Sequence, residues 1–339
     1  MIPKIACATA FAACVASSAI AGPSGYHLER SVTLGGDTFW DAITLDAPNH
    51  HLFITHGDHV VVVDSNTFAV VADLTGLKGT HQVAVADGVG KGFVTQGNDN
   101  SVAVFDAKTL KVTGRIPVGT KPDGVVYDPL TRRAFTFNAG SSDSTVIDVA
   151  SGTVDGTIPL GGKPEFAVAD GHGHIYDNIE DKSEIAEIDA KTMTVVSRWP
   201  LAPCTEPSGI AYDRVHHRVF AACDNEMMAA MDTRTGKVVA TVPSGKRSDG
   251  AGFDPATGLV FVPNGEGKLT VIHEDSPDKY TLVENVPTQL GARTMELDTS
   301  SHRIFTVTAD LTPTPPTPAS PHPRPTITPG TFHLLVYTR

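Results

Sequence analysis

Lys121–Gly161 reads KPDGVVYDPLTRRAFTFNAGSSDSTVIDVASGTVDGTIPLG. Four short runs stand out: GVVYD ending at Asp128, RAFTFN ending at Asn138, STVID ending at Asp148, and TVDGTIPLG ending at Gly161. Each is rich in β-branched or aromatic residues and is bounded by Gly, Pro, Asp, Asn or Ser, which predicts four strands joined by tight turns. A single four-stranded sheet of this size cannot bury both faces alone. The unit therefore needs copies of itself to stack against.

The copies are present. The Asp that closes the first run recurs at Asp46, Asp87, Asp128, Asp170, Asp213, Asp254 and Asp298, at intervals of 41, 41, 42, 43, 41 and 44 residues. The Asp that closes the third run recurs at Asp64, Asp106, Asp148, Asp189 and Asp232, at intervals of 42, 42, 41 and 43. Two markers in phase, with four strands per period of about 40–45 residues, predict an all-β chain of seven β-propeller blades. The ends of the chain complete the count. Tyr26–Gly36 reads as a fourth strand with no blade before it, whereas ARTMELD, HRIFTVTA and TFHLLVYTR at the other end read as three strands with no fourth. Pairing them closes the ring and leaves no open sheet edge. Length alone would suggest two domains, but the repeat makes residues 22–339 one domain.

The segments KPDGVVYD, GFVTQGNDNSVAVFD and AFTFNAGSSDSTVIDVASGTV resemble the YVTN repeats of the YncE-like family, which are exported seven-bladed propellers. The resemblance runs along nearly all of the chain after the first residues. It implies the fold and a periplasmic or secreted location, and it implies little about chemistry, because the residues that carry it build the blade.

Residues 1–21, MIPKIACATAFAACVASSAIA, have Lys4, an Ala-rich apolar run and Ala19-Ile20-Ala21. This is the pattern of a cleaved secretory signal. No later segment is long and apolar enough to span a bilayer as a helix, so membrane insertion is not expected. The net charge of −12 argues against nucleic acid and anionic membrane surfaces as partners. Of the four cysteines, Cys7 and Cys14 fall in the leader. Cys204 precedes the first strand of blade five and Cys223 ends its second strand, on loops that open on one face. An even pair in an oxidising compartment predicts a Cys204–Cys223 disulfide. The competing reading, a thiol metal site, has only two thiols and no adjacent His. Leu311–Thr331 carries eight prolines and predicts an extended, polyproline-like loop between the second and third strands of blade seven. It is either a surface spacer or a lid or docking arm on the face described next.

Propeller ligands collect where the first strands enter the central channel. The residues expected at that mouth are Trp40, Asp41, His81, Asp123, Glu165, Asp249 and Arg293, with His56 from a neighbouring loop. Four converging carboxylates repel one another unless cations compensate. Oxygen ligands would suit Ca²⁺ or Mg²⁺ there, and a His would move the preference towards Zn²⁺. The Pro122-Asp123-Gly124 triplet also resembles the Asp motif of gluconolactonase-type propellers, and that likeness implies a metal set of Asp123, Glu165 and Asn138 or Asn178. Against it, P-x-G is the generic start of these repeats, and no established metal-binding spacing is present. The remaining histidines, His50, His51, His172, His174, His216, His217 and His302, fall in turns on the opposite face. They read as solvated turn residues, with a transition-metal rim as the rival reading. Gly140-Ser141-Ser142 lies in a hairpin rather than before a helix, so it is no nucleophile elbow.

The sequence thus predicts a monomeric binding or scaffold protein for a small molecule or a periplasmic protein partner. Its rivals are a metal-dependent hydrolase acting on a lactone at the same mouth, and an accessory protein of a periplasmic redox or metal-handling system.

Overall fold

A computed structural model describes residues 23–315 and 323–339. The leader and its cysteines lie outside the described residues. Seven four-stranded antiparallel sheets make up the ring. Blade three shows the plan: Pro122–Asp128, Arg133–Asn138, Asp143–Asp148 and Thr153–Pro159, each paired with the next. Blades one, two and four to six follow it in chain order. The protein is a seven-bladed β-propeller, and among the described residues no helix is long and apolar enough to cross a membrane.

Blade seven is assembled from both ends of the chain. Its order from the rim inwards is His27–Thr33, His333–Thr338, Arg303–Thr308 and Met295–Asp298. His27 pairs with Thr338 and Thr33 with His333, so the N-terminal strand closes the ring as expected.

The core is divided among the blade interfaces. One buried apolar cluster lies at each of the seven interfaces. The third residue of every second strand faces the following blade: Phe53, Phe93, Phe135, Tyr176, Phe220, Phe261 and Phe305 are all buried. Burying a side chain of this size contributes about 1.5–3 kcal/mol at each site. Two residues further along, Thr55 Oγ1 donates to His81 O at 2.9 Å and Thr95 Oγ1 to Asp123 O at 2.6 Å. Asn178 does the same job in blade four, its amide donating to Ser208 O and Gly209 O. In blades one, two and four this position fastens the blade to the first strand of the next, whereas Phe137, Ala222, Pro263 and Val307 occupy it in the others.

Cys204 and Cys223 form the expected disulfide, with their Cα atoms 5.6 Å apart. The bond fits an oxidising environment. The proline-rich stretch departs from expectation at its base, where Leu311–Thr312 pairs with Thr326–Ile327. Ile327 is buried in the cluster between blades seven and one, and Leu311 packs against it. Prolines flank this short ladder without occupying it.

Candidate functional site at the channel mouth

Each blade offers one residue to the mouth, at or just before the start of its first strand: Asp41, His81, Asp123, Glu165, Ser208, Asp249 and Arg293. Alternation along a strand sends every second side chain to the same side. At these seven positions that side is the channel.

His81 is the centre of one half of the ring. Its Nδ1 donates to Asp41 Oδ2 at 2.6 Å and lies 3.2 Å from Asp123 Oδ1. Burial opposes a charge on His81, but hydrogen bonds and charges from Asp123 and Asp41 outweigh it and raise its pKa to about 10. Burial also raises Asp41, against the pull of His81. Asp123 also acts on the next carboxylate, Glu165, through its charge. Glu165 Oε1 accepts from Lys163 Nζ at 2.7 Å, and Lys163 also pairs with Glu180. Burial, then the charge of Asp123, lifts Glu165 to about 8 despite that lysine. In the other half, Arg293 Nη1 stands 2.5 Å from Asp249 Oδ2, and Ser208 Oγ donates to Asp249 Oδ1 at 3.3 Å. Asp249 is pushed up to about 6 by burial, with Arg293 opposing and Asp41 reinforcing the rise.

Below the ring the channel encloses a cavity of about 160 Å³. Gln82, Phe166, Thr294 and Glu296 line it. Glu296 Oε2 accepts from Leu45 N at 3.3 Å and its Oε1 from Leu297 N at 3.0 Å, which ties blade seven to blade one. Burial still raises its pKa to about 7. Gly209 and Gly250 let two first strands meet here, since a Cβ on Gly209 would stand 2.3 Å from the Gly250 carbonyl carbon.

Three residues expected at the mouth lie elsewhere. Trp40 is only 8% exposed and packs against Phe332, its ring centroid 5.2 Å away, inside the interface of blades seven and one. The exposed aromatic is its neighbour Phe39, over which Arg324 of the proline-rich segment lies at 5.3 Å. His56 is buried and stacked on Phe332, with Nε2 donating to Thr38 O at 2.8 Å. Burial, then the charge of His59, lowers its pKa to about 4 and keeps it neutral. Asn138 is fully buried within its own hairpin. Its Oδ1 accepts from Thr136 Oγ1, and its Nδ2 donates to Asp143 Oδ1 at 2.7 Å and Thr145 Oγ1 at 3.1 Å. It is already committed and does not join Asp123 and Glu165. Lys163, Glu180, Gln82 and Glu296 belong to the mouth or channel and were not singled out by sequence. Lys163 precedes a strand and Glu180 follows one, outside the positions that the repeat aligns.

Among the described residues, two groups place donor atoms close enough to share one metal ion: Asp41–His81–Asp123 at the mouth and Asp213–His216–Glu274 on the other face. At the mouth, His81 holds a proton between two carboxylates. An ion there has to displace that proton, so its binding would be pH-dependent.

No family model and no curated protein sequence matches the chain. Among solved structures, Kuenenia stuttgartiensis hydrazine synthase is similar with a TM-score of 0.71, over 81% of this chain and 93% of that chain, at 18% identity. At that identity the likeness shows a shared propeller architecture.

Proposed function

We propose that the chain is an exported binding or scaffold protein of the YVTN-repeat type, and that its channel mouth receives a cationic group from a small molecule or a partner protein. One observation carries this reading. Asp41, Asp123, Glu165 and Asp249, from four separate blades, converge on the mouth and are met there by three cationic side chains, His81, Lys163 and Arg293, and burial raises the pKa of Asp41, Glu165 and Asp249 in spite of them. The mouth is thus under-supplied with positive charge, and a cation that enters it relieves a cost already present in the fold. The test is thermal unfolding and calorimetry with Ca²⁺, Zn²⁺, spermidine and a lysine-rich peptide as probes. At least one probe should bind the wild type, and binding should weaken in Asp123→Asn and Glu165→Gln. Equal binding by wild type and both variants would refute the reading.

The Asp41–His81–Asp123 group favours a second reading, a divalent-cation-dependent hydrolase acting on a lactone. The cation would polarise the carbonyl and activate water. Lactone hydrolysis lost on chelation and in Asp123→Ala would support it, and a chelator-insensitive or absent turnover would remove it.

A further inference from the structure

In blades one, three, six and seven the turn after the first strand is organised by the Asp that ends that strand. Three residues on, Asn49, Thr131, Thr257 and Ser301 each donate a side-chain hydrogen bond to the Oδ2 of their own blade's Asp, at 2.9, 2.6, 2.9 and 2.6 Å. Blade two ends its first strand at Ala86 and blade four has Gly173 at that place, so neither offers this side-chain bond; blade five differs from all of them. The equivalent residue is His216, whose Nδ1 lies 2.7 Å from Asp213 Oδ2. That nitrogen is buried and forms no hydrogen bond. The Asp213 carboxylate is fixed from behind, with Oδ1 accepting from Val215 N and Oδ2 from His216 N.

Blade six breaks the repeat at the same place. Its outer strands, Lys268–Ser276 and Lys279–Pro287, have nine residues each, where blade three has six and seven. The longer hairpin leans on blade five, where Arg218 donates to Pro277 O and to Asp278 Oδ1, both at 2.7 Å. The extension delivers Glu274. Its Oε1 accepts from Tyr280 O–H at 3.0 Å, and its Oε2 faces His216 Nδ1 at 3.4 Å. The side chains of Asp213 and Glu274 are 2% and 4% exposed, whereas that of His216 is 42% exposed.

We infer that Asp213, His216 and Glu274 form a binding site for one divalent transition-metal ion, zinc foremost, on the face opposite the channel mouth. The ligand atoms of a tetrahedral zinc ion stand about 3.3 Å apart when metal–ligand bonds are about 2.0–2.1 Å. The separations of 2.7 and 3.4 Å bracket that value. One imidazole nitrogen beside two carboxylates selects against Ca²⁺ and Mg²⁺, which take oxygen ligands. Two buried carboxylates need about two positive charges, and a divalent ion supplies them where the repeat's usual hydroxyl or amide donor is missing. The exposed side of His216 leaves the fourth position to water or to a partner's ligand.

The experiment is titration of the metal-stripped chain with Co²⁺, read by its visible absorption, followed by Zn²⁺ competition and elemental analysis. The proteins compared are wild type, His216→Thr, Glu274→Gln and Asp123→Asn. His216→Thr installs the residue type that closes this turn in blades three and six, so the turn keeps a native solution, and thermal unfolding without metal checks this. The wild type should bind one ion that His216→Thr and Glu274→Gln each weaken by at least about tenfold, and that ion should remain in Asp123→Asn, which reports separately on the mouth. Absence of stoichiometric binding, binding that survives His216→Thr, or loss only in Asp123→Asn would overturn the assignment. The last result would place the ion at the mouth.

Discussion

His81 and Glu165 sit in one ring, and each makes the fold less stable as pH rises, over different windows. The folded pKa of His81 is about 10 against an ordinary 6.5. The proton is therefore held more tightly in the folded chain. Its stabilisation is complete below about pH 6.5 and is lost as pH rises through about 10. His81→Gln should lower the unfolding temperature at pH 6–7, and the gap should close above pH 10. A gap that does not vary with pH would show that packing, not the ion pair, is at stake. Glu165 has the same sense over a lower window, because burial raises it from 4.5 to about 8. Its ionisation costs stability progressively across that window, so Glu165→Gln should gain on the wild type as pH rises from 4.5 to 8. Thermal melts at matched ionic strength check both. The repeat made the ring positions legible, since Asp41, Asp123, Glu165 and Asp249 share one place in the period. The direction of neighbouring side chains was less legible. Trp40 is adjacent to Asp41, but strand alternation turns it into the blade interface, where Phe332 receives it. Asn138 ends a second strand, and nothing in its spacing shows that Asp143 and Thr145 already take its amide.

At the scale of strands and loops, blade five carries two local constraints that can be tested separately. The Cys204–Cys223 bond spans a sequence separation of 19. Closing a loop of this size stabilises by about 3 kcal/mol through the unfolded chain. The double Cys204→Ser, Cys223→Ser variant should lose roughly that amount in urea unfolding, and a reductant should reproduce the loss in the wild type alone. Gly209→Ala tests a different constraint. Its Cβ would collide with the Gly250 backbone, which has no flexible end to move aside. Overpacking of this kind costs about 1–3 kcal/mol, and the same measurement should show it, with the mouth pairs disturbed as well. The disulfide was legible because Cys204 precedes the first strand of one hairpin and Cys223 ends its second, at the same open end. The longer hairpin of blade six left only an indirect trace, the 44-residue interval between Asp254 and Asp298. An interval records that residues were added but not which strands they lengthen. The ladder under the proline-rich loop was hidden for a related reason: Thr326-Ile327 is two residues long, and its pairing depends on Ile327 reaching a cluster supplied by blades seven and one.

For the whole ring, closure depends on one strand contributed from the far end of the chain. His27–Thr33 covers the backbone edge of His333–Thr338, an apolar segment reading HLLVYT. Tyr26 beside it is buried against Phe261, and its hydroxyl donates to His302 O at 3.0 Å. Each of the other six blades is made of four strands consecutive in sequence. Losing this strand therefore harms more than one blade. It uncovers an apolar strand edge that can pair with another chain, and it removes Tyr26 from the cluster between blades six and seven. A chain lacking residues 23–33 should unfold at a lower temperature, lose the single sharp transition of the closed ring, and associate with itself in proportion to concentration. A synthetic peptide spanning residues 23–34 should reverse all three effects, whereas a scrambled peptide should reverse none. Calorimetry and light scattering measure these outcomes. If the shortened chain instead melted as one sharp transition at the wild-type temperature, the seven interfaces would be holding the ring shut without the terminal strand, and closure would belong to blade packing alone.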